Sequence, residues 1–212
     1  LIDYDKNVAA LKEVQPAPIK ASDIAVRIGT SWIDKEIYKE FFCQLIDMPY
    51  YMRDGIELYY NKHDSSWRVD RTTSYARNYR SMKITNVYGT SRANAYRLFE
   101  DCLNQRFTQI YDTVLDEDGR EKRVLNQSET VAAREKQNKI KEAFKDWIFA
   151  SPVRRDELEA IYNRLFNQIK LPKYDGGYLK FPEMNPAIEL RPHQKDAVHR
   201  IITSGNTLLH HV

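Results

Sequence analysis

The chain has 212 residues, 42% of them hydrophobic and 12% aromatic, which suffices for one good core, or one core plus a helical appendage, and excludes a disordered chain. Its 33 basic and 30 acidic residues leave a net charge of only +3, so the overall balance names no polyanionic partner and local clusters must decide. Cys43 and Cys102 lack any Cys or His at ligand spacing, which argues against zinc and for reduced thiols in a cytosolic setting, and no run approaches the ~18 apolar residues of a membrane span.

Residues 1–31 carry a short amphipathic piece, Val8 to Val14, followed by Gln15-Pro16-Ala17-Pro18, where the two prolines enforce an extended connector. Asp34 is placed to cap a helix, and Ile37, Tyr38, Phe41, Phe42, Leu45 and Ile46 recur on one helical face until Pro49. Ile56, Leu58 and Tyr60 alternate with polar residues and Ser66 to Val69 follows a polar turn, so a two-strand ribbon is expected, with Lys83 to Tyr88 as a third strand. Thr90 or Ser91 can cap the next helix, whose buried face would be Tyr96, Phe99, Cys102 and Leu103. The β-prone runs Phe107 to Leu115 and Glu121 to Leu125 flank Asp116-Glu117-Asp118-Gly119-Arg120, the signature of a tight hairpin. Those three carboxylates fit a solvated tip better than a nuclease metal cluster, because metal-dependent cutting needs carboxylates from separate elements.

From Asn126 onward the pattern is helical, with Asn126 and Glu129 at capping-box spacing and Ile140, Ala143, Phe144, Trp147 and Ile148 on one face. Ser151-Pro152 restarts a second helix carrying Leu158, Ile161, Tyr162, Leu165, Phe166 and Ile169, so an antiparallel helical hairpin is expected. Leu171 to Pro186, with three prolines and two adjacent glycines, reads as a loop. Pro192 suits a first helical position, Ala197, Val198, Ile201 and Ile202 share a face, Gly205 terminates, and an apolar strand is expected to follow from Asn206. The fold class is therefore α+β: a small antiparallel sheet with packed helices plus a long antiparallel helical hairpin. The expected domains are 1–125, 126–186 and 187–212.

One stretch concentrates charge. Arg71, Arg77, Arg80, Lys83, Arg92 and Arg97 occur without a single Asp or Glu among them, and Tyr75, Tyr79, Tyr88 and Tyr96 are interleaved. Cations neutralise phosphates while rings stack on unpaired bases, so this is the leading candidate for nucleic-acid contact. The competing reading is a solvated ribbon whose tyrosines pack inward. A weaker basic stripe, Arg134, Lys141 and Lys145, has the acidic neighbours Glu135, Glu142 and Asp146. The histidines, at 63, 193, 199, 210 and 211, have no metal-binding spacing.

The run Leu190-Arg191-Pro192-His193-Gln194, with Tyr88-Gly89-Thr90, Glu129-Thr130, Phe144-x-x-Trp147, Tyr162-Asn163 and Tyr174-Asp175-Gly176-Gly177, resembles the region before the helicase in large bacterial phage and mobile-element DNA methylase–helicase proteins. The resemblance spans nearly the whole chain, but the methyltransferase Asn-Pro-Pro-Tyr, the Walker A loop and the Asp-Glu box all lie outside it. It implies an excised middle piece of a bacterial cytoplasmic protein, ending just before the phosphate loop of a superfamily-two, Swi/Snf-like helicase. By the same resemblance Gln194, with Arg191, would read adenine in the parent, whose helicase uses ATP and Mg, while this piece holds no cofactor and is not itself an enzyme. The expected partners are DNA, double- or single-stranded, and the flanking methyltransferase and helicase domains. The implied role is a DNA-guiding linker. The alternative is a docking module that holds the two catalytic halves together without touching DNA.

Overall fold

A computed structural model describes residues 3–115, 120–170, 172–185 and 187–209. It divides into two compact units, one of residues 17–168 and one of residues 1–16 with 169–212. The expected break after residue 125 is therefore not where the contacts divide. Among the described residues no helix is long and apolar enough to cross a membrane.

The larger unit is built on three helices: α2 (Lys35–Leu45), α4 (Ala95–Leu103) and α5 (Gln127–Ile148). Asp34 starts α2 by accepting the Glu36 N–H at 2.8 Å, and the apolar spacing that follows buries Tyr38, Phe41, Phe42 and Leu45. The rings interlock across the helices. Phe42 stacks on Phe99 at 4.4 Å, Phe41 meets Phe144 edge-on at 5.1 Å, and Tyr38 lies between Phe144 and Trp67. Each such pair contributes about 0.5–1.5 kcal/mol beyond the burial of its area.

Strands β1 (Ile56–Asn61) and β2 (Ser66–Arg71) pair antiparallel, with Ile56 opposite Arg71, Leu58 opposite Val69 and Tyr60 opposite Trp67. Period-two alternation turns Ile56 and Leu58 into the core, where Trp67 also lies buried. The Trp67 indole donates to the Gly29 carbonyl at 2.9 Å, and Gly29 is held at φ +88° so close to the Leu103 carbonyl that a Cβ would lie 2.0 Å from its oxygen.

Lys83 to Tyr88 does not form the expected third strand. It is a π-helical turn over Lys83–Val87, because the outer edge of β2 is already occupied. Asn104 of the α4 C-cap accepts the Trp67 N–H and donates to the Trp67 carbonyl, both at 2.8 Å, and Glu100 accepts the Val69 N–H at 2.8 Å. Further along that edge, the Arg71 carbonyl takes the Arg77 Nε–H at 2.9 Å. The chain between β2 and α4 must then cross the surface as turns, including the short helix α3 (Ser74–Asn78). The cap of α4 is Asn94, which accepts the Arg97 N–H at 3.1 Å, and not Thr90 or Ser91. Thr90 instead accepts the N–H groups of Arg92 and Ala93 in the preceding turn.

Strands β3 (Tyr111–Leu115) and β4 (Glu121–Leu125) form a separate antiparallel ribbon, so among the described residues the strands make two small antiparallel sheets. The acidic segment 116–119 lies outside the described residues. The first strand begins at Tyr111 and not at Phe107, because α5 captures the backbone before it. Gln137, fully buried, accepts the Thr108 N–H and donates to the Arg106 carbonyl, while Thr130 accepts the Ile110 N–H.

Helix α6 (Pro152–Phe166) follows α5 after a short corner in which Arg154 donates to the Ile148 and Trp147 carbonyls. Helix α5 turns Ile140, Phe144 and Ile148 towards α2 and α4. Helix α6 holds the extended connector: Asn163 exchanges hydrogen bonds with both the N–H and the carbonyl of Ile19, Asn167 donates to Ala17, and Trp32 packs against Tyr162 and Phe166.

The smaller unit contains α1 (Tyr4–Glu13) and α7 (Pro192–Ser204), neither with a fully buried residue. The loop of Tyr174 to Tyr178 lies on α7, where Asp196 accepts the Gly176 N–H at 2.8 Å and both tyrosines meet His199 edge-on. The strand expected after Gly205 is not formed at residues 207–209, and 210–212 lie outside the described residues.

Phe144 touches three other aromatic rings and is 1% exposed, so Phe144→Ala is expected to cost about 3–5 kcal/mol in urea unfolding. Val153→Ala, at a position 79% exposed, is expected to stay within about 0.5 kcal/mol of the parent. A Phe144→Ala loss below about 1 kcal/mol would contradict the assignment of this ring as the centre of the core.

Candidate nucleic-acid interface

The six cations of the basic stretch do not share one site. Arg71, Arg77, Arg80 and Lys83 gather around α3, whereas Arg92 and Arg97 face the start of the β3–β4 ribbon. Arg92 is bound to the Asp112 carboxylate at 2.7 Å and to the Tyr111 carbonyl, and Arg97 reaches the Gln109 carbonyl. The Arg92 guanidinium, with the Asn126 amide, holds the Asp112 carboxyl below the usual carboxylate range. A cation so neutralised has little charge left for a phosphate.

Around α3 the arrangement differs. Thr73 caps the helix by accepting the Ala76 N–H. Arg77 donates to the Arg71 carbonyl, while Arg71 and Arg80 both reach the Arg77 carbonyl, at 3.5 and 3.1 Å. Among the described residues none of these three guanidiniums is ion-paired. Backbone carbonyls therefore fix their positions without cancelling their charge. Lys83 is bound to Asp47 at 2.8 Å, and this hydrogen bond holds its ammonium above the ordinary lysine value.

The tyrosines divide as well. Tyr96 is buried with Arg71 stacked 4.8 Å above its ring, Tyr79 donates to the Asp47 carbonyl at 2.7 Å, and Tyr88 is half-buried beneath Lys139. Of the four, only Tyr75 is well exposed. Tyr79, Tyr88 and Tyr96 are thus wholly or partly buried, while Arg77, Arg80, Arg92 and Arg97 are exposed.

Sequence reasoning missed the other half of the strip. The 3₁₀ turn Tyr50–Gly55 lies against α3, with Gly55 so close that a Cβ there would sit 2.2 Å from Thr73 Oγ1 and 3.1 Å from the Tyr75 ring. Segment 46–55 runs beside segment 71–83, joined by Tyr79 and Lys83 to Asp47 and by Gly55 to Thr72 and Tyr75. It presents Tyr50 at 85% and Tyr51 at 74% exposure, with the Arg53 guanidinium 5.8 Å from the Tyr50 ring. The signal was available in Pro49-Tyr50-Tyr51. The turn ends the α2 pattern, and two successive residues of a helical turn project in different directions, so both rings cannot enter one core. Together the two segments carry Arg53, Arg71, Arg77, Arg80 and Lys83 against Asp47 and Asp54.

In the weaker stripe Arg134 and Lys141 flank the exposed Phe107 ring, and Lys141 and Lys145 line a cleft with Arg27 and Glu142. In the smaller unit Gln194 sits at the third position of α7, where its side-chain oxygen accepts the Arg191 N–H at 2.9 Å at the start of the helix. Among the described residues no group of three or more His, Cys, Asp or Glu side chains is arranged to hold a metal ion.

The family described as Domain of unknown function (DUF8437) matches residues 27–168, and the chain belongs to that family. No curated protein and no solved structure matches the chain significantly. The matched span contains the whole strip and the whole of the aromatic core.

The Tyr96 hydroxyl is buried and has no hydrogen-bond partner among the described residues, while burial pushes its pKa up to about 12 from an ordinary 10.0. As pH rises, the unfolded chain releases this proton first, so the stabilisation is whole below about 10 and is lost between 10 and 12. Tyr96→Phe removes the unsatisfied group. It is expected to stabilise the fold by about 1 kcal/mol in urea unfolding at pH 7 and to make the decline above pH 10 shallower. A destabilisation of more than about 1 kcal/mol would contradict the unpaired hydroxyl.

Proposed function

We propose that this chain is a non-catalytic DNA-guiding segment of a larger DNA methyltransferase–helicase, and that it grips DNA through the strip of residues 46–55 and 71–83. The observation that carries this reading is the set of Arg71, Arg77 and Arg80, fixed by backbone carbonyls and, among the described residues, not ion-paired, with Arg77 and Arg80 exposed and Arg71 half-buried beside them. Guanidiniums held in this way suit phosphate oxygens, since little side-chain entropy remains to be lost on contact. ATP and Mg belong, in this proposal, to the helicase domain of the parent. The adjoining methyltransferase and helicase domains are the other partners, and the setting is the bacterial cytoplasm.

A second reading, a docking module for the two catalytic halves, draws support from Leu165 and Phe166, which stand 51% and 58% exposed at the end of α6. The two readings differ in salt dependence, because phosphate contacts release counterions and an apolar docking face does not.

The test is fluorescence anisotropy of the whole chain with labelled DNA across a salt series. Binding is expected to weaken steeply with salt, and Arg77→Ala with Arg80→Ala is expected to flatten the slope of log K against log salt by about 2, with similar losses across DNA sequences. Equal affinity and slope in a folded double variant would remove the strip as the gripping surface. No binding even at low salt would favour the docking module.

A further inference from the structure

We infer that the strip takes an unpaired nucleic-acid strand, with bases stacked on Tyr50, Tyr51 and Tyr75 and phosphates held by Arg71, Arg77 and Arg80. This rests on the DNA-gripping reading and names the form of nucleic acid that the same surface prefers.

Tyrosine has an apolar body and a polar tip, and on most surfaces the body is covered while the hydroxyl meets water. Tyr50 and Tyr51 depart from this, at 85% and 74% exposure, and Tyr75 stands beside their turn at 41%. Tyr50 has the Arg53 guanidinium near its ring, and Arg53 is itself tethered to the Met48 carbonyl. Three ring surfaces so placed have a free energy to gain from any flat partner that removes them from water.

Charge then selects the partner. The strip carries five cations and two carboxylates, and one of those carboxylates, Asp47, is already paired with Lys83. An acidic, aromatic-faced polymer fits such a surface. A nucleic-acid strand supplies both the phosphates and the flat bases.

Shape decides between duplex and single strand. In a duplex the base faces are stacked on each other and only their edges line the grooves, so the tyrosine rings would have no faces to meet. Reading a major groove takes a projecting helix or a two-stranded ribbon, and the helical elements described in the strip are short: the six-residue 3₁₀ turn Tyr50–Gly55 and the five-residue α3. An unpaired strand exposes base faces at no further cost.

The experiment compares a labelled single-stranded oligonucleotide, the same sequence as duplex, and an abasic strand of equal length, using the whole chain at low and moderate salt. The parent is expected to bind the single strand more tightly than the duplex or the abasic strand. Tyr50→Ala with Tyr51→Ala is expected to weaken the single strand about 10-fold or more and the duplex little, since each stacked base accounts for about a 5- to 100-fold change. Tyr50→Phe with Tyr51→Phe should restore the single-strand affinity, because the stacking face remains. Both positions are exposed, so circular dichroism should report an unchanged fold. Equal parent affinity for duplex and single strand, with no effect of the alanine pair, would overturn the single-strand preference and leave the grip on DNA standing. Absence of binding to all three probes at low salt would overturn the underlying DNA reading and this inference with it.

Discussion

The side chains that close the outer edge of β2 determine where the rest of the larger unit can go. Asn104 bridges both backbone groups of Trp67, Glu100 takes the Val69 N–H, and Arg77 takes the Arg71 carbonyl. An open edge would have paired with the next β-prone run, since unpaired N–H and C=O groups are a template for another strand. With the edge occupied, residues 72–93 have no ladder to join. They cross the surface as a five-residue helix, a π-helical turn and irregular turns, and their arginines remain near solvent.

The same constraint explains why the charge run is not one patch. Its first part folds over the end of β2 and meets the Tyr50–Gly55 turn, while its last part enters α4 and faces the β3–β4 ribbon. Asp112 neutralises Arg92 there, whereas the cations near α3 meet mainly carbonyl oxygens. A cation paired at 2.7 Å and one tethered to neutral backbone look alike in sequence. They differ greatly in what they can offer a phosphate.

Much of the architecture was legible where side-chain period alone decides. Helices α2, α4 and α5 follow apolar residues at three- and four-residue spacing, with Asp34 and Asn126 as their caps where expected for α2 and α5, and both ribbons follow alternation and turn signals. What could not be read depends on contacts between distant residues. Lys83 to Tyr88 has the composition of a strand, and only the reach of Asn104 and Glu100 denies it a partner. Phe107 to Ile110 fails as a strand because Gln137 and Thr130, some 20 to 29 positions away, take its N–H groups. In the strip, the basic half was visible as a charge run. The aromatic half was hidden because Tyr50 and Tyr51 follow an apolar helix and resemble its continuation. The capping contact of Gln194, whose side-chain oxygen accepts the Arg191 N–H, was likewise not read from the sequence.

Segments 46–55 and 71–83 are proposed to form one contact surface for DNA. The most direct test is to follow backbone amide chemical shifts of the whole chain while a short unlabelled oligonucleotide is added. The changes are expected to concentrate at Tyr50 to Asp54 and Ser74 to Lys83, with residues 92–97 and the β3–β4 ribbon little affected. Shifts confined to the ribbon or to the surface of α6, with the strip unmoved, would contradict it.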